Sequence, residues 1–302
     1  MKKYDLSVLG IDCKLVFELL TRFIKNEVEK TGMNKVLLGL SGGVDSALVA
    51  FICKEALGAK NVLGVRMPYK TSSSESLEHA ELVAKTCGID YITCDITGAV
   101  EGFVNGEVSL GAKCANFFDR AKLDANFAME KIVNRHSMGN IMARMRMLNL
   151  YHLSAASGAM VVGTSNKTEL LLGYGTLHGD MACGINPVGD LYKRQLRELS
   201  AYMGVPRVVL AKKPSADLFP GQTDEGDLGF SYDELDYALY RIVDCRENPK
   251  LIVESGEVEA RLAEFCVRRI TSMQFKRQMP LIALLSFRTI NQSFNYPRDW
   301  AL

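Results

Sequence analysis

The segment Ser41-Gly42-Gly43-Val44-Asp45-Ser46 packs two glycines, two hydroxyls and a carboxylate into six positions. Adjacent glycines let successive backbone N–H groups converge on an anion, and a helix starting at Val44 adds its positive dipole end. Ser41 and Ser46 supply hydroxyl donors. This is chemistry for holding a phosphate chain. The lysine of a G-x-x-x-x-G-K-[ST] loop is missing, however, and Asp45 alone would repel bare phosphate. A divalent cation between carboxylate and phosphate, Mg²⁺ on oxygen ligands, resolves the conflict. The competing reading makes Asp45 an ordinary acidic first-turn residue. The placement of the whole hexapeptide between a strand and a helix favours the phosphate site.

Those flanking elements are readable. Val36–Leu40 is a short apolar run of strand type, and Val44–Leu57 carries apolar residues at helical spacing. Further on, 61–68 reads as a strand and 73–87 as an amphipathic helix opened by serine caps. Residues 90–96 and 159–166 read as two more strands, with helices over 114–134 and 138–157 between them. Strands alternating with helices predict an α/β fold, a parallel, doubly wound sheet flanked by helices. Ligands in such sheets sit at the carboxyl ends of strands. Three of the four strands end in polar, chemically capable loops: "SGGVDS", "RMPYKTSS" and "GTSNKTE".

Residues 165–230 are crowded with Gly, Pro, Asp, Thr and Lys, with little periodicity but recurring Tyr, Leu and Phe. They are expected to be ordered loops folded over a ligand. Helices return over about 231–290, starting at a Ser231/Glu234 capping-box spacing.

The 302 residues and net charge of +1 give room for a large core and no broad nucleic-acid footprint. No apolar stretch is long enough to span a membrane, and the acid-interrupted N-terminus does not resemble a signal peptide. Eight scattered cysteines without a C-x-x-C pair suit a reducing, cytoplasmic setting.

The ordered set "SGGVDSA", "RMRM" (144–147), "GTSNKTE", "HGD" (178–180), "NPVGDLYK", "KPSADL" and "GQTDE" resembles the ammonia-dependent NAD synthetases. These are enzymes of the ATP-pyrophosphatase, adenine-nucleotide α-hydrolase type. The likeness spans about residues 35–290, so 1–302 is expected to be one synthetase domain. It implies adenylylation of the nicotinate carboxylate of deamido-NAD by ATP, then displacement of AMP by ammonia. By the same resemblance, ATP is held by Gly39, Ser41, Gly42, Gly43, Val44, Asp45, Ser46, Arg66, Thr164, Lys193 and Ser215. Mg²⁺ is expected on Asp45 and Glu169, and deamido-NAD on His136, Arg144, Asp180 and Lys276. Asp180, Lys193 and Ser215 are the catalytic candidates, with Asp180 drawing in ammonium and taking its extra proton.

Three positions depart from the family pattern: His136 for a usual aromatic, Gly184 for a usual Asp, and Phe275 for a usual His. Glutamine-dependent relatives carry an extra amidase domain. Only 35 residues precede the first strand here, which points to free ammonia, or ammonia delivered by another protein, as the nitrogen source. Apolar residues on more than one face of the 114–157 helices fit either burial in one large core or a subunit interface, and the resemblance implies the latter, a homodimer with shared acceptor sites. Two rival readings are another ATP pyrophosphatase, of GMP-synthetase or tRNA-thiolation type, and a non-catalytic adenine-nucleotide module. Thiolation calls for paired cysteines and a basic surface, and binding alone has no need of both Asp45 and Glu169.

Overall fold

The computed structural model describes residues 4–109, 126–219, 221–278 and 280–290. Four parallel strands, β1 (Val36–Gly39), β2 (Val62–Arg66), β3 (Asp90–Thr93) and the sixth in the chain, β6 (Met160–Val161), form a sheet ordered β3-β2-β1-β6. Between β3 and β6 the short strands β4 (Glu107–Ser109) and β5 (Asn126–Ala128) pair antiparallel as a separate two-stranded sheet.

The period of two along β1 assigns its side chains to opposite faces. Val36 and Leu38, with Leu40 beyond them, pack in the core shared with α1 (Cys13–Glu29), α2 (Val44–Leu57) and α3 (Ser74–Cys87). Leu37 goes the other way, with Val161 and with Leu150 and Leu153 of the long helix Arg135–Ser157. That helix is α5, and it shares a further apolar cluster with α4 (Thr97–Val104) and the end of β2. α2 shows why a buried helix has little amphipathicity: Ala47 to Ala50, Ile52 and Cys53 are all at 0% exposure.

After β6 the regular elements among the described residues are helices, which partly form a second core. The elements are α6 (Lys167–Leu172), α7 (Lys193–Tyr202), α8 (Arg207–Ala211), α9 (Asp224–Leu228), α10 (Tyr232–Leu239), α11 (Pro249–Glu254) and α12 (Ala260–Ser272). Leu172, Tyr192, Leu235, Leu239 and Leu262 lie at the centre of that core.

Several sequence expectations need correction. The helix expected over 114–134 is absent at its described end: 126–128 is a strand, where Phe127 faces Val108 across the hairpin, and 129–132 is a single 3-10 turn. Residues 110–125 lie outside the described residues. Cross-strand pairing has outweighed the helical spacing of that stretch. The next helix starts at Arg135, three residues before 138, because Asn134 caps it reciprocally with Ser137. Residues 165–230 are not simply loops, since α6 to α9 lie within them; helices of five to ten residues have too few turns to print a period. The Ser231/Glu234 capping box is present, but no helix occurs among the described residues of 280–290.

Candidate active site

The turn after β1 is formed as its glycines require. Gly42 has φ +76°, and a Cβ there would fall 2.1 Å from the Ser76 carbonyl oxygen, so the loop lies directly on the first turn of α3. α3 itself begins with Ser73 capping the Ser76 N–H. Ser46 donates to the Gly43 carbonyl, and its Oγ lies 3.1 Å from the Ser41 hydroxyl. No side chain caps the start of α2. Its first N–H groups therefore have no intrahelical or side-chain acceptor and are available to an anion.

Opposite this helix start, three distant segments meet. Lys193, the first residue of α7 and only 1% exposed, donates from Nζ to Asp45 Oδ2 at 2.6 Å and to Glu169 Oε1 at 3.4 Å. Asn166 orients both acids: its Nδ2 donates to Asp45 Oδ1 at 2.9 Å, and it forms a capping box with Glu169. The Lys193 ammonium also lies 5.0 Å above the Tyr232 ring. Tyr232 and Tyr174 both donate hydroxyl protons to the buried Asp224, at 2.9 and 3.1 Å.

Electrostatics follow from this crowding. Burial raises the Glu169 carboxyl well above the ordinary range, with Lys193 opposing the rise and Asp45 adding to it. Burial alone would lower Lys193, but the Asp45 and Glu169 carboxylates outweigh it and hold the ammonium charged. Asp224 is raised by burial too.

The base of Lys193 is anchored by groups outside the cavity. Thr168 Oγ1 accepts the Lys193 N–H at 3.1 Å and donates to Asp236 Oδ1, while Asp236 Oδ2 accepts the Arg194 N–H at 2.8 Å. Two first-turn N–H groups of α7 are thus satisfied. Asp236, at 0% exposure, is pushed up to about 6 by burial.

The α2 start, Asp45, Glu169, Lys193, Tyr174 and Asp224 open on one cavity of about 1020 Å³, at the upper end for a small-molecule site. Of the sequence-derived candidates, Gly39, Ser41, Gly43, Val44, Asp45, Ser46, His136, Thr164, Glu169, Asp180, Lys193, Ser215 and Lys276 line it. Asp180 Oδ1 accepts the Thr176 N–H at 2.7 Å. Its carboxylate reaches cavity solvent, yet protein packed around it raises its pKa. Lys276 donates to the Gly173 and Gly175 carbonyls at 2.9 and 2.6 Å, at the C-terminal end of α6. Ser215 accepts the Asp217 N–H in the loop before α9.

Gly42, Arg66 and Arg144 are not on the cavity wall. Arg66 is held at the sheet edge by Thr93, Glu81 and the Tyr91 ring. Arg144 is exposed and donates to the Leu177 carbonyl at 3.3 Å. The departures also have local accounts. A Cβ at Gly184 would meet Met160 Cγ at 2.9 Å, so a larger residue there requires the Met160 side chain to shift. Phe275 is 57% exposed and lines the cavity mouth beside Lys276. Sequence reasoning did not single out Asn166, Tyr174, Asp224, Tyr232 or Arg146. Asn166, Asp224 and Arg146 lie inside the quoted "GTSNKTE", "GQTDE" and "RMRM" runs, but only tertiary contacts reveal their roles.

Among the described residues no helix is long and apolar enough to cross a membrane. Comparison with known proteins gives a consistent answer. Residues 16–280 match the family model described as NAD synthase. NH(3)-dependent NAD(+) synthetases of Chlorobaculum parvum and Chlorobium phaeobacteroides (strain DSM 266) are 47% and 45% identical to this chain, with 97% of each sequence covered. Among solved structures, the NH3-dependent NAD synthetase of Campylobacter jejuni superposes with TM-score 0.70 at 29% identity, covering 91% of this chain and all of that one. The NMN synthetase of Francisella tularensis superposes with TM-score 0.74 at 26% identity, covering 91% and 99%. On sequence match, full-length identity and shared fold together, the chain belongs to the NAD synthase family.

Proposed function

We propose that the protein makes NAD from deamido-NAD, ATP and ammonia. The observation that carries this reading is the meeting of Asp45, Glu169 and Lys193 at the uncapped start of α2, inside a cavity large enough for two substrates. In the first step a nicotinate carboxylate oxygen attacks the α-phosphorus, the bond to the β-phosphate oxygen breaks, and pyrophosphate leaves. In the second, ammonia attacks the acyl carbon, the acyl–oxygen bond breaks, and AMP leaves. The protein's task is alignment and charge neutralisation. The α2 N–H groups with Ser41 and Ser46 receive the pyrophosphate portion, and Lys193 stands beside it with its charge fixed by two carboxylates. Thr164 and Ser215 lie on the same wall. Asp180, with its raised pKa, takes the proton that ammonia must lose. His136 and Lys276 lie on the wall assigned to the dinucleotide.

Mg²⁺ belongs to this reading. Asp45 and Glu169 are hard oxygen donors already converging on one cationic centre, the Lys193 ammonium, which suits them to an ion of that kind. Among the described residues no group of three or more acidic, His or Cys side chains could enclose a metal. The protein would supply these two carboxylates, and phosphate and water oxygens the remainder. When bound, the ion neutralises phosphate charge.

The single-domain organisation, a homodimer and a cytoplasmic location complete the proposal. Support for the dimer comes from Leu148 and Tyr151 of α5, 59% and 40% exposed, and from Arg144, which sits on the same helix outside its own cavity. Support for the location comes from the seven described cysteines, all free thiols. The Francisella structure raises a second acceptor, the mononucleotide. Mass spectrometry after mixing the protein with ATP, Mg²⁺, ammonium chloride and either deamido-NAD or nicotinate mononucleotide tests both. NAD as the dominant product supports the main reading, NMN the second, and neither product overturns both.

A further inference from the structure

The cavity wall holds a cation with no assigned task. Arg146 lines the cavity, two residues beyond the exposed Arg144. Its Nε donates to the Met67 carbonyl at 3.0 Å, just past the carboxyl end of β2. Its Nη1 and Nη2 have no hydrogen-bond partner among the described residues, and it forms no ion pair there. Arg66, by contrast, is ion-paired with Glu81, and Arg241 with Glu247 and Glu257. The carboxylates that act on Arg146, Asp217 and Asp180, do so from beyond ion-pair distance, and burial pushes the guanidinium pKa down. A half-buried guanidinium on a cavity wall without a counterion is unfavourable, and its planar fork matches phosphate or carboxylate oxygens two at a time.

The geometry points to Arg146 as an anion-binding residue of this cavity, holding a phosphate or carboxylate oxygen of a bound nucleotide with its Nη edge. The Met67 carbonyl fixes the guanidinium plane from the other side, so the fork is set before any ligand arrives. The assignment rests on the proposed function for the identity of the nucleotides. The competing role is structural, a strut between α5 and the end of β2.

Isothermal titration calorimetry separates the two. ATP with Mg²⁺ and deamido-NAD are titrated separately into the wild type, Arg146→Met and Arg146→Gln, and the melting temperature of each ligand-free protein is recorded. The glutamine variant keeps a donor for the Met67 carbonyl and carries the test if the methionine variant does not fold. Binding by a charged fork predicts that one ligand weakens about tenfold or more in both variants, while the ligand-free melting temperature is held or rises. Which ligand weakens identifies the source of the anion. Affinities for both ligands within twofold of wild type overturn the assignment, as does a lower melting temperature with unchanged affinity. If the wild type binds neither nucleotide, the functional reading fails first and the assignment falls with it.

Discussion

Lys193 and Asp45, 148 positions apart in the chain, are joined by a hydrogen bond of 2.6 Å between Nζ and Oδ2. The bond answers the question that the phosphate loop raises. The cation missing from the loop is supplied by the first residue of α7, and the Asp45 carboxylate is neutralised before any metal or nucleotide enters. Asp45 is thereby both a partner of the lysine and an oxygen donor on the cavity wall where the proposed phosphate site lies.

Asp45→Asn and Glu169→Gln should each lower AMP formation at least about 100-fold, because an amide neither holds a hard cation nor anchors the ammonium as a carboxylate does. Circular dichroism should show the fold retained. Turnover near the wild-type value at saturating Mg²⁺ in either variant would remove these carboxylates from the mechanism.

Asp236 supplies a pH signature of stability. Its folded pKa, about 6, lies above the ordinary 3.8, so between those values the folded state binds the proton more tightly and stability falls as pH rises. The span of about two units corresponds to roughly 3 kcal/mol. Urea unfolding at pH 4, 5, 6 and 7 should show wild type losing stability relative to Asp236→Asn over that range. Parallel curves would mean that Asp236 does not titrate differently on folding.

The nitrogen step has its own readout. Amide formation should rise with total ammonium and with pH in the mildly alkaline range, because un-ionised ammonia is the nucleophile, and glutamine should not replace it. Asp180→Asn should slow amide formation more than it slows pyrophosphate release, since it removes the proton acceptor while leaving the α2 site intact. Equal slowing of both steps would place Asp180 in substrate binding instead.

Arg144 reports on assembly. If acceptor sites are completed across a two-fold interface, co-expressed Asp45→Asn and Arg144→Ala chains should recover activity that neither homodimer has, because one site of each mixed dimer keeps both residues. Mixed dimers without recovered activity would assign Arg144 to its own subunit, and an active monomer by sedimentation at assay concentration would end the shared-site model.

What could be read from sequence was local. The apolar run 36–40, the Gly42-Gly43 turn, the helix from Val44 and the Ser231/Glu234 capping box each lie within a few bonds of the residues that cause them, and all are found as expected. Most of the site residues singled out from the ordered motifs likewise line the cavity. Tertiary structure alone decided the rest. Asn126–Ala128 became a strand because its partner lies at Glu107–Ser109. Arg66 and Arg144 left the cavity wall while Arg146 entered it, although Arg144 and Arg146 share one short motif, because helix rotation sets which side chain faces in. The charge state of Glu169 depends on a lysine 24 residues away, and the position of that lysine on Thr168 and Asp236. Spacing along the chain carries no information on such pairings, because burial and through-space charge are set only when separate elements pack.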